Sequence, residues 1–234
     1  MRPDERAIPL TRSVLLSNLL QNAATVVLVG CAIVVTGLVA RRELSSPATT
    51  AARPAVEHVA NGLVYAREGH VMGSTEAPVS LVVFSDFECP ACRTLAERVQ
   101  VLRTRHPKAF NVVYRHFPIP THLAAAGAAR ASECAANQGR FEAFHDAVFA
   151  DQRALGEQQW RRFAETAQVR DLSAFDQCTA DTSRVEAIER DINAGHQLAL
   201  DVTPTILINN QRLRGVPPLD ELERLVTQTR PRAQ

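Results

Sequence analysis

Two cysteines separated by two residues, Cys89-Pro-Ala-Cys92, follow directly on the apolar run Val79 to Phe84 and the turn Ser85-Asp-Phe-Glu88. A thiol pair at this spacing has three chemistries open to it: reversible dithiol–disulfide exchange, a structural cross-link, or one half of a zinc site. Tetrahedral zinc needs a second ligand pair, and the sequence contains no second knuckle. A bridge across two residues is strained and easily reduced, which makes it a poor staple and a good redox couple. The residues around the pair set its geometry. Val79 to Phe84 is β-rich, Asp86 and Glu88 are poor strand formers, and Ala91 to Arg105 has helical periodicity. A strand therefore leads through a turn into a helix whose first turn carries both sulfurs. Pro90 at the first helical position loses nothing by lacking an N–H. At the N-terminus of that helix, unpaired N–H groups and the helix dipole favour a thiolate at Cys89. Cys92, one turn in, is placed to resolve a mixed disulfide. Asp86 and Glu88 read as solvated turn residues that would raise the Cys89 pKa, not lower it. His116 and His122, near the end of the next strand, read as packed or exposed side chains.

The surrounding elements follow in order. Leu63-Val-Tyr65 and His70-Val-Met72 flank Arg67-Glu-Gly69, a pattern that predicts a leading strand or hairpin, and Gly73 to Pro78 is a turn-rich entry to the central strand. Asn111 to Phe117 reads as a second core strand ended by Pro118 and Pro120, so that strand, helix and strand form a βαβ unit with a parallel pair. From His122 to Leu200 the chain is rich in Ala, Glu and Arg with helical spacing and breaks near Gly139, Gly156 and Asp171, which predicts several helices packed as a lobe. Strand composition returns at Val202 to Ile208, where Pro204 belongs at a strand start or edge. Asn209-Asn210 then suits a hairpin turn leading to Arg212-Leu213. Leu219, Leu222, Leu225 and Val226 place a final helix over Pro218 to Thr229.

Taken together, Glu76-Ala-Pro-Val79, Phe84-Ser-Asp-Phe87, Cys89-Pro-Ala-Cys92, Tyr114-Arg-His-Phe-Pro118, Glu133-Cys-Ala-Ala136, Gly139-Arg-Phe141 and Val202-Thr-Pro-Thr-Ile206 occur in matching order in one known group. Over roughly Gly73 to Val226 the chain resembles the DsbA-type, thioredoxin-fold thiol–disulfide oxidoreductases of bacterial cell envelopes. The resemblance implies an α/β thioredoxin-like fold with an inserted helical lobe over about 121–200. It implies a cis Pro204 lying against the redox pair, with Thr203 and Pro204 binding substrate and Thr203, Pro90 and Ala91 tuning the thiol. It also implies a second disulfide between Cys134 and Cys178, present in some relatives and absent from others; two buried free thiols is the alternative. No cofactor and no metal is implied. Reduced secreted or envelope proteins would be the substrates, and a membrane DsbB-like or vitamin-K-epoxide-reductase-like enzyme the recycling partner. Two departures bear on direction. The strongest oxidants of the group carry His where this chain has Ala91, and relatives commonly carry a carboxylate six residues before the first cysteine, where this chain has Val83.

The composition sets bounds. At 234 residues and 46% hydrophobic composition the chain can bury a sizeable core. A formal charge of +1 and an aromatic content of 5% argue against a nucleic-acid surface. Ser13 to Ala40 contains no charged residue, and Ala23 to Ala40 is almost wholly apolar before Arg41 and Arg42. That length suits a membrane-spanning helix. A cleaved signal peptide ending at Leu38-Val-Ala40, or lipidation at Cys31 within Leu28-Val-Gly-Cys31, are the rival readings. The expected organisation is a cytoplasmic segment 1–12, a transmembrane helix 13–40, a linker and leading segment 41–72 and a thioredoxin-like domain 73–230. Arg2, Arg6 and Arg12 face Arg41 and Arg42 across the span, so charge leaves orientation open. The four cysteines outside the apolar stretch suit an oxidising compartment outside the cytoplasmic membrane.

Three activities fit these residues. The first is a thiol oxidase introducing disulfides into secreted or envelope proteins through Cys89 and Cys92. The second is a reductase or isomerase of the same fold, and the third a membrane-tethered chaperone using the groove beside Pro204 without turnover.

Overall fold

The computed structural model describes residues 25–39, 41, 57–59, 62–157 and 159–228. The chain divides into two compact units, residues 1–52 and 53–234. In the first, residues 25–39 are helical (α1) with their side chains exposed. Among the described residues no helix is long and apolar enough to cross a membrane. The rest of the expected span 13–40 and nearly all of the linker lie outside the described residues.

Among the described residues the second unit is built on a six-stranded sheet in the order β1-β6-β5-β3-β4-β2. Its strands are β1 (Glu57–His58), β2 (His70–Met72), β3 (Val79–Ser85), β4 (Phe110–His116), β5 (Thr205–Ile208) and β6 (Gln211–Arg214). The helices are α2 (Pro90–Arg105), α3 (Ala125–Ala136), α4 (Phe141–Ala150), α5 (Trp160–Thr166), α6 (Leu172–Ala180), α7 (Glu186–Gln197) and α8 (Leu219–Thr227). Among the described residues only β3 and β4 pair in parallel, from Val79↔Phe110 to Ser85↔His116, and α2 is their crossover. β5 pairs antiparallel to β3 on its other side.

Both faces of the central strand are covered, which is why Val79 to Phe84 reads as a continuous apolar run and not as an alternation. Leu81 and Val83 face a large core that includes Leu95, Leu102, Phe144 and Leu222, whereas Val82 and Phe84 face a smaller cluster with Val113, Ala194 and Leu207. On α2 the buried positions Cys92, Leu95, Val99 and Leu102 recur at helical spacing and form one stripe. At the far end of β4, α7 comes so close that a Cβ on Gly195 would lie 2.4 Å from the Phe117 ring. Beside it Arg115, 1% exposed, donates to Asp191 at 2.5 Å and to the carbonyls of Tyr65 and Glu68. The guanidinium is thus fully partnered, as a buried charge must be.

The helical lobe is confined to α3 through α7. Its breaks fall where the sequence placed them: α3 ends before Gly139, whose φ is +68°, and Asp171 caps α6 by accepting from the Ala174 N–H. Cys134 on α3 and Cys178 on α6 are joined by a disulfide. Trp160 on α5 rests on α3, where a Cβ on Gly127 would lie 2.8 Å from its ring. Asn209 and Asn210 both adopt positive φ, 49° and 61°, and close the β5–β6 hairpin.

Of the expected leading strand or hairpin, the strand is present and the hairpin is not: His70–Met72 forms β2, which pairs antiparallel with β4 at the sheet edge, and residues Gly62–Ala66 form a 3-10 turn. The reason lies in Tyr65. Its ring packs edge-on against Phe84 across the sheet face, and its carbonyl is needed by Arg115.

Candidate active site

β3 ends at Ser85, and three residues later the chain enters α2 with Cys89 as the N-cap and Pro90 at the start. Cys89 has φ −70° and ψ 120° and no side-chain cap hydrogen bond, so its sulfur is not spent on capping. Its N–H donates to the Asp86 carbonyl at 3.2 Å, and its own carbonyl accepts from Arg93 N–H and from Gln152. Both thiols are unbridged. Cys89 is 7% exposed and Cys92 1%, so the N-terminal sulfur is the one a substrate can reach.

Across the gap stands Thr203-Pro204, joined by a cis peptide bond. The Cys89 thiol donates to the Thr203 carbonyl at 3.4 Å. Thr203 is buried, and its hydroxyl, which meets no other hydrogen-bond partner, is left to favour a thiolate on Cys89. Together these groups separate the two sulfurs electrostatically. A hydrogen bond from Cys92, then the Thr203 hydroxyl and the N–H groups of Cys92 and Ala91, outweigh burial and bring Cys89 from 9.0 to about 5. Burial, followed by the neighbouring Cys89 thiolate, pushes the Cys92 thiol far up. The Cys92 sulfur also accepts the Asp86 N–H at 3.4 Å.

The turn before Cys89 departs from the expected solvated arrangement. Asp86 is 1% exposed, and its carboxylate accepts from Glu88 N–H, Ile119 N–H and His122 Nδ1, each at 2.7 Å. Glu88, half-buried, accepts from the Ala124 N–H at 2.6 Å. Two carboxylates therefore pin the loop between β4 and α3 beside the redox turn. Burial works against protonation of His122, but Asp86, Glu88 and Cys89 more than offset it and raise its pKa. Between the pinned residues, Leu123 is 90% exposed. Sequence reading missed this arrangement, because Asp86 and His122 are 36 residues apart.

His116, in contrast, is packed and 1% exposed. Its Nε2 and that of His70 pair with Oε1 of Glu133 at 2.8 and 2.6 Å. These donors lie within 4.8 Å of one another and are of types that bind metals. The geometry is that of a clamp between α3 and the sheet, since each imidazole is committed to the same carboxylate oxygen.

A thiol pair at a helix N-terminus opposite a cis proline, on a sheet with an inserted helical lobe, defines the DsbA-like class of thioredoxin folds. The crystal structure of a thioredoxin-like oxidoreductase from Silicibacter pomeroyi DSS-3 superposes with a TM-score of 0.60 at 26% identity, covering 71% of this chain and 96% of that one. The thiol-disulfide exchange protein alpha-DsbA2 of Wolbachia pipientis gives 0.56 at 18% identity over 71% and 89%, a likeness of fold. The catalytic domain of Proteus mirabilis ScsC gives 0.56 at 19% over 67% and 85%, again a likeness of fold. Residues 66–228 match the model of the family described as Thioredoxin (Thioredoxin_4), and the chain belongs to that family. Among curated proteins it is 35% identical over 158 residues to the Na(+)/H(+) antiporter NhaA 3 of Salinispora tropica, covering 67% of this chain. It is 36% identical over 149 residues to NhaA 1 of Mycolicibacterium gilvum, covering 62% of this chain. In both cases the chain spans only 24% of the relative's length.

Proposed function

We propose that this protein is a thiol oxidase, which passes the Cys89–Cys92 disulfide to cysteine pairs of secreted or envelope proteins. The observation that carries this reading is the unequal pair of sulfurs: Cys89 reachable and lowered to about 5, Cys92 buried and raised. A substrate thiolate attacks Cys89, and the Cys89–Cys92 bond breaks with its electron pair going to Cys92. The substrate's second thiolate then attacks the substrate sulfur of the mixed disulfide, releasing Cys89 as a thiolate. A leaving thiolate stable at neutral pH favours this direction, because whatever stabilises the reduced form makes the disulfide more oxidising. The low Cys89 value compensates for the absence of a histidine at Ala91. Thr203 and Pro204 line the approach to Cys89, where an extended substrate segment can lie as an added strand. Leu123 offers an apolar contact at the rim.

Residues 13–40 act in this reading as a membrane anchor that holds the domain outside the cytoplasmic membrane. A quinone-linked membrane enzyme of the DsbB-like or vitamin-K-epoxide-reductase-like kind re-oxidises the pair. The fusion of a similar segment to proteins named as antiporters fits a domain that works at a membrane surface.

Two measurements test the oxidase. Iodoacetamide labelling of Cys89 should rise through pH about 5 and stay flat above it, whereas an ordinary thiol rises only near 8.5. Equilibration with glutathione should place the potential at about −120 to −180 mV, and a value near −270 mV would assign the pair to reduction instead.

A further inference from the structure

Exchange at this site leaves one proton without a destination. To re-form the disulfide, Cys92 must lose its S–H proton before its sulfur can attack Cys89; Val83 on the central strand supplies no base, and the Asp86 carboxylate is already engaged by three donors. Behind Cys92 lies a small pocket lined by Val83, Ser85, Cys92, Tyr114, His145 and Phe149, with about 20 Å³ open to the centre of a water-sized sphere. That is room for about one water. The Tyr114 hydroxyl in its wall is buried beside the Ser85 hydroxyl and has no partner at full hydrogen-bond distance, the situation that a bound water ordinarily resolves. His145, from α4, is 7% exposed. Its Nδ1 pairs with Asp146 Oδ1 at 2.8 Å, and the Asp146 side chain is 49% exposed. In a neutral imidazole that donates Nδ1–H to this carboxylate, Nε2 carries the lone pair, and His145 lines the pocket. The titratable groups around His145 are Asp146 on its own helix, Tyr114 from β4 and Cys92 from α2. Phe87, Phe141 and Phe149 supply its other ring contacts.

We propose that His145 takes the Cys92 proton through a water bound among Cys92, Tyr114 and His145, with Asp146 orienting the imidazole and linking it to solvent. This assignment rests on the redox reading of the cysteine pair. In the resolving step the Cys92–Cys89 bond forms and the bond from Cys89 to the partner sulfur breaks. The electron pair leaves on that sulfur, and the proton moves from Cys92 to Nε2. In the opposite direction the imidazolium returns the proton to the departing Cys92 thiolate.

The test uses the full chain, reduced and mixed with oxidised glutathione, with acid quenching and mass analysis of the Cys89–glutathione adduct. Adduct formation reports Cys89 attack, and its decay, independent of glutathione concentration, reports Cys92. In His145→Gln the decay should slow on the order of 100-fold near neutral pH, with Cys89 attack within about twofold of wild type by the same reasoning. The deficit should shrink as hydroxide takes over at higher pH. Tyr114→Phe should slow decay several-fold. A wild-type decay rate in His145→Gln, or a reduction by one constant factor at every pH, overturns the proposal. Should His145→Gln lack a cooperative thermal transition, Tyr114→Phe decides, and an unchanged decay there overturns it. No adduct at Cys89 in the wild type would instead overturn the redox reading itself.

Discussion

Hydrogen bonds to one sulfur and burial of the other hold two thiols of one helical turn at opposite ends of the protonation scale. Cys89 receives the Cys92 thiol, then the Thr203 hydroxyl and the N–H groups at the start of α2, while Cys92 is buried among β3 and β4 side chains. The pairing of thiols was legible from spacing alone, and so was the N-terminal placement that Pro90 permits. The partners of Asp86 were not, because they depend on where the chain after β4 returns. Turn composition therefore suggested a solvated carboxylate, whereas tertiary structure buries it under three donors. The same limit hid the tie between His70, His116 and Glu133, which join two strands and a helix. Burial alone would raise the Glu133 carboxyl, yet hydrogen bonds from His116 and His70 bring it from 4.5 to about 2. Because the folded value lies below the unfolded one, the stabilisation is complete above pH 4.5 and is lost as the pH falls toward about 2. Urea midpoints of wild type and Glu133→Gln should therefore lie furthest apart near neutrality and converge on acidification. A gap that stays constant with pH would show that this charge does not contribute.

At the scale of elements, the strand–turn–helix unit and its parallel partner followed from composition, since a β-rich run, a helical period and a second β-rich run admit few topologies. The lobe was legible as helices broken at Gly139 and Asp171. In the leading segment the strand at His70–Met72 was legible and the turn at Gly62–Ala66 was not, since three apolar residues in a row have no period that separates a strand from a 3-10 turn. β5 also begins only at Thr205, because Pro204 and the Thr205 hydroxyl, which donates to the Val202 carbonyl, form a turn first. The bond between α3 and α6 closes a separation of 44 residues. In the chain-entropy account such a loop stabilises the folded state by about 4 kcal/mol, and by less where the unfolded chain keeps structure. Replacing Cys134 and Cys178 together by Ala should lower stability by about 2–4 kcal/mol without shifting the labelling midpoint of Cys89. A shift in that midpoint would mean that the lobe's cross-link reaches the redox turn.

At the scale of the whole molecule, two compact units share one chain, and the proposed anchor belongs to the first. Carbonate extraction of cells expressing the full chain should leave it in the membrane pellet. Recovery in the supernatant would instead indicate cleavage, with Ala40 the site to check by N-terminal sequencing. The chain has a single tryptophan, Trp160, whose ring sits on Gly127 within the lobe. Its emission consequently watches one part of the protein only, the helices α3, α4 and α6 that flank α5. A reductant titration followed in this channel should stay quiet while Cys89 and Cys92 exchange and change when the α3–α6 link opens, making the two sulfur pairs optically distinguishable without any label.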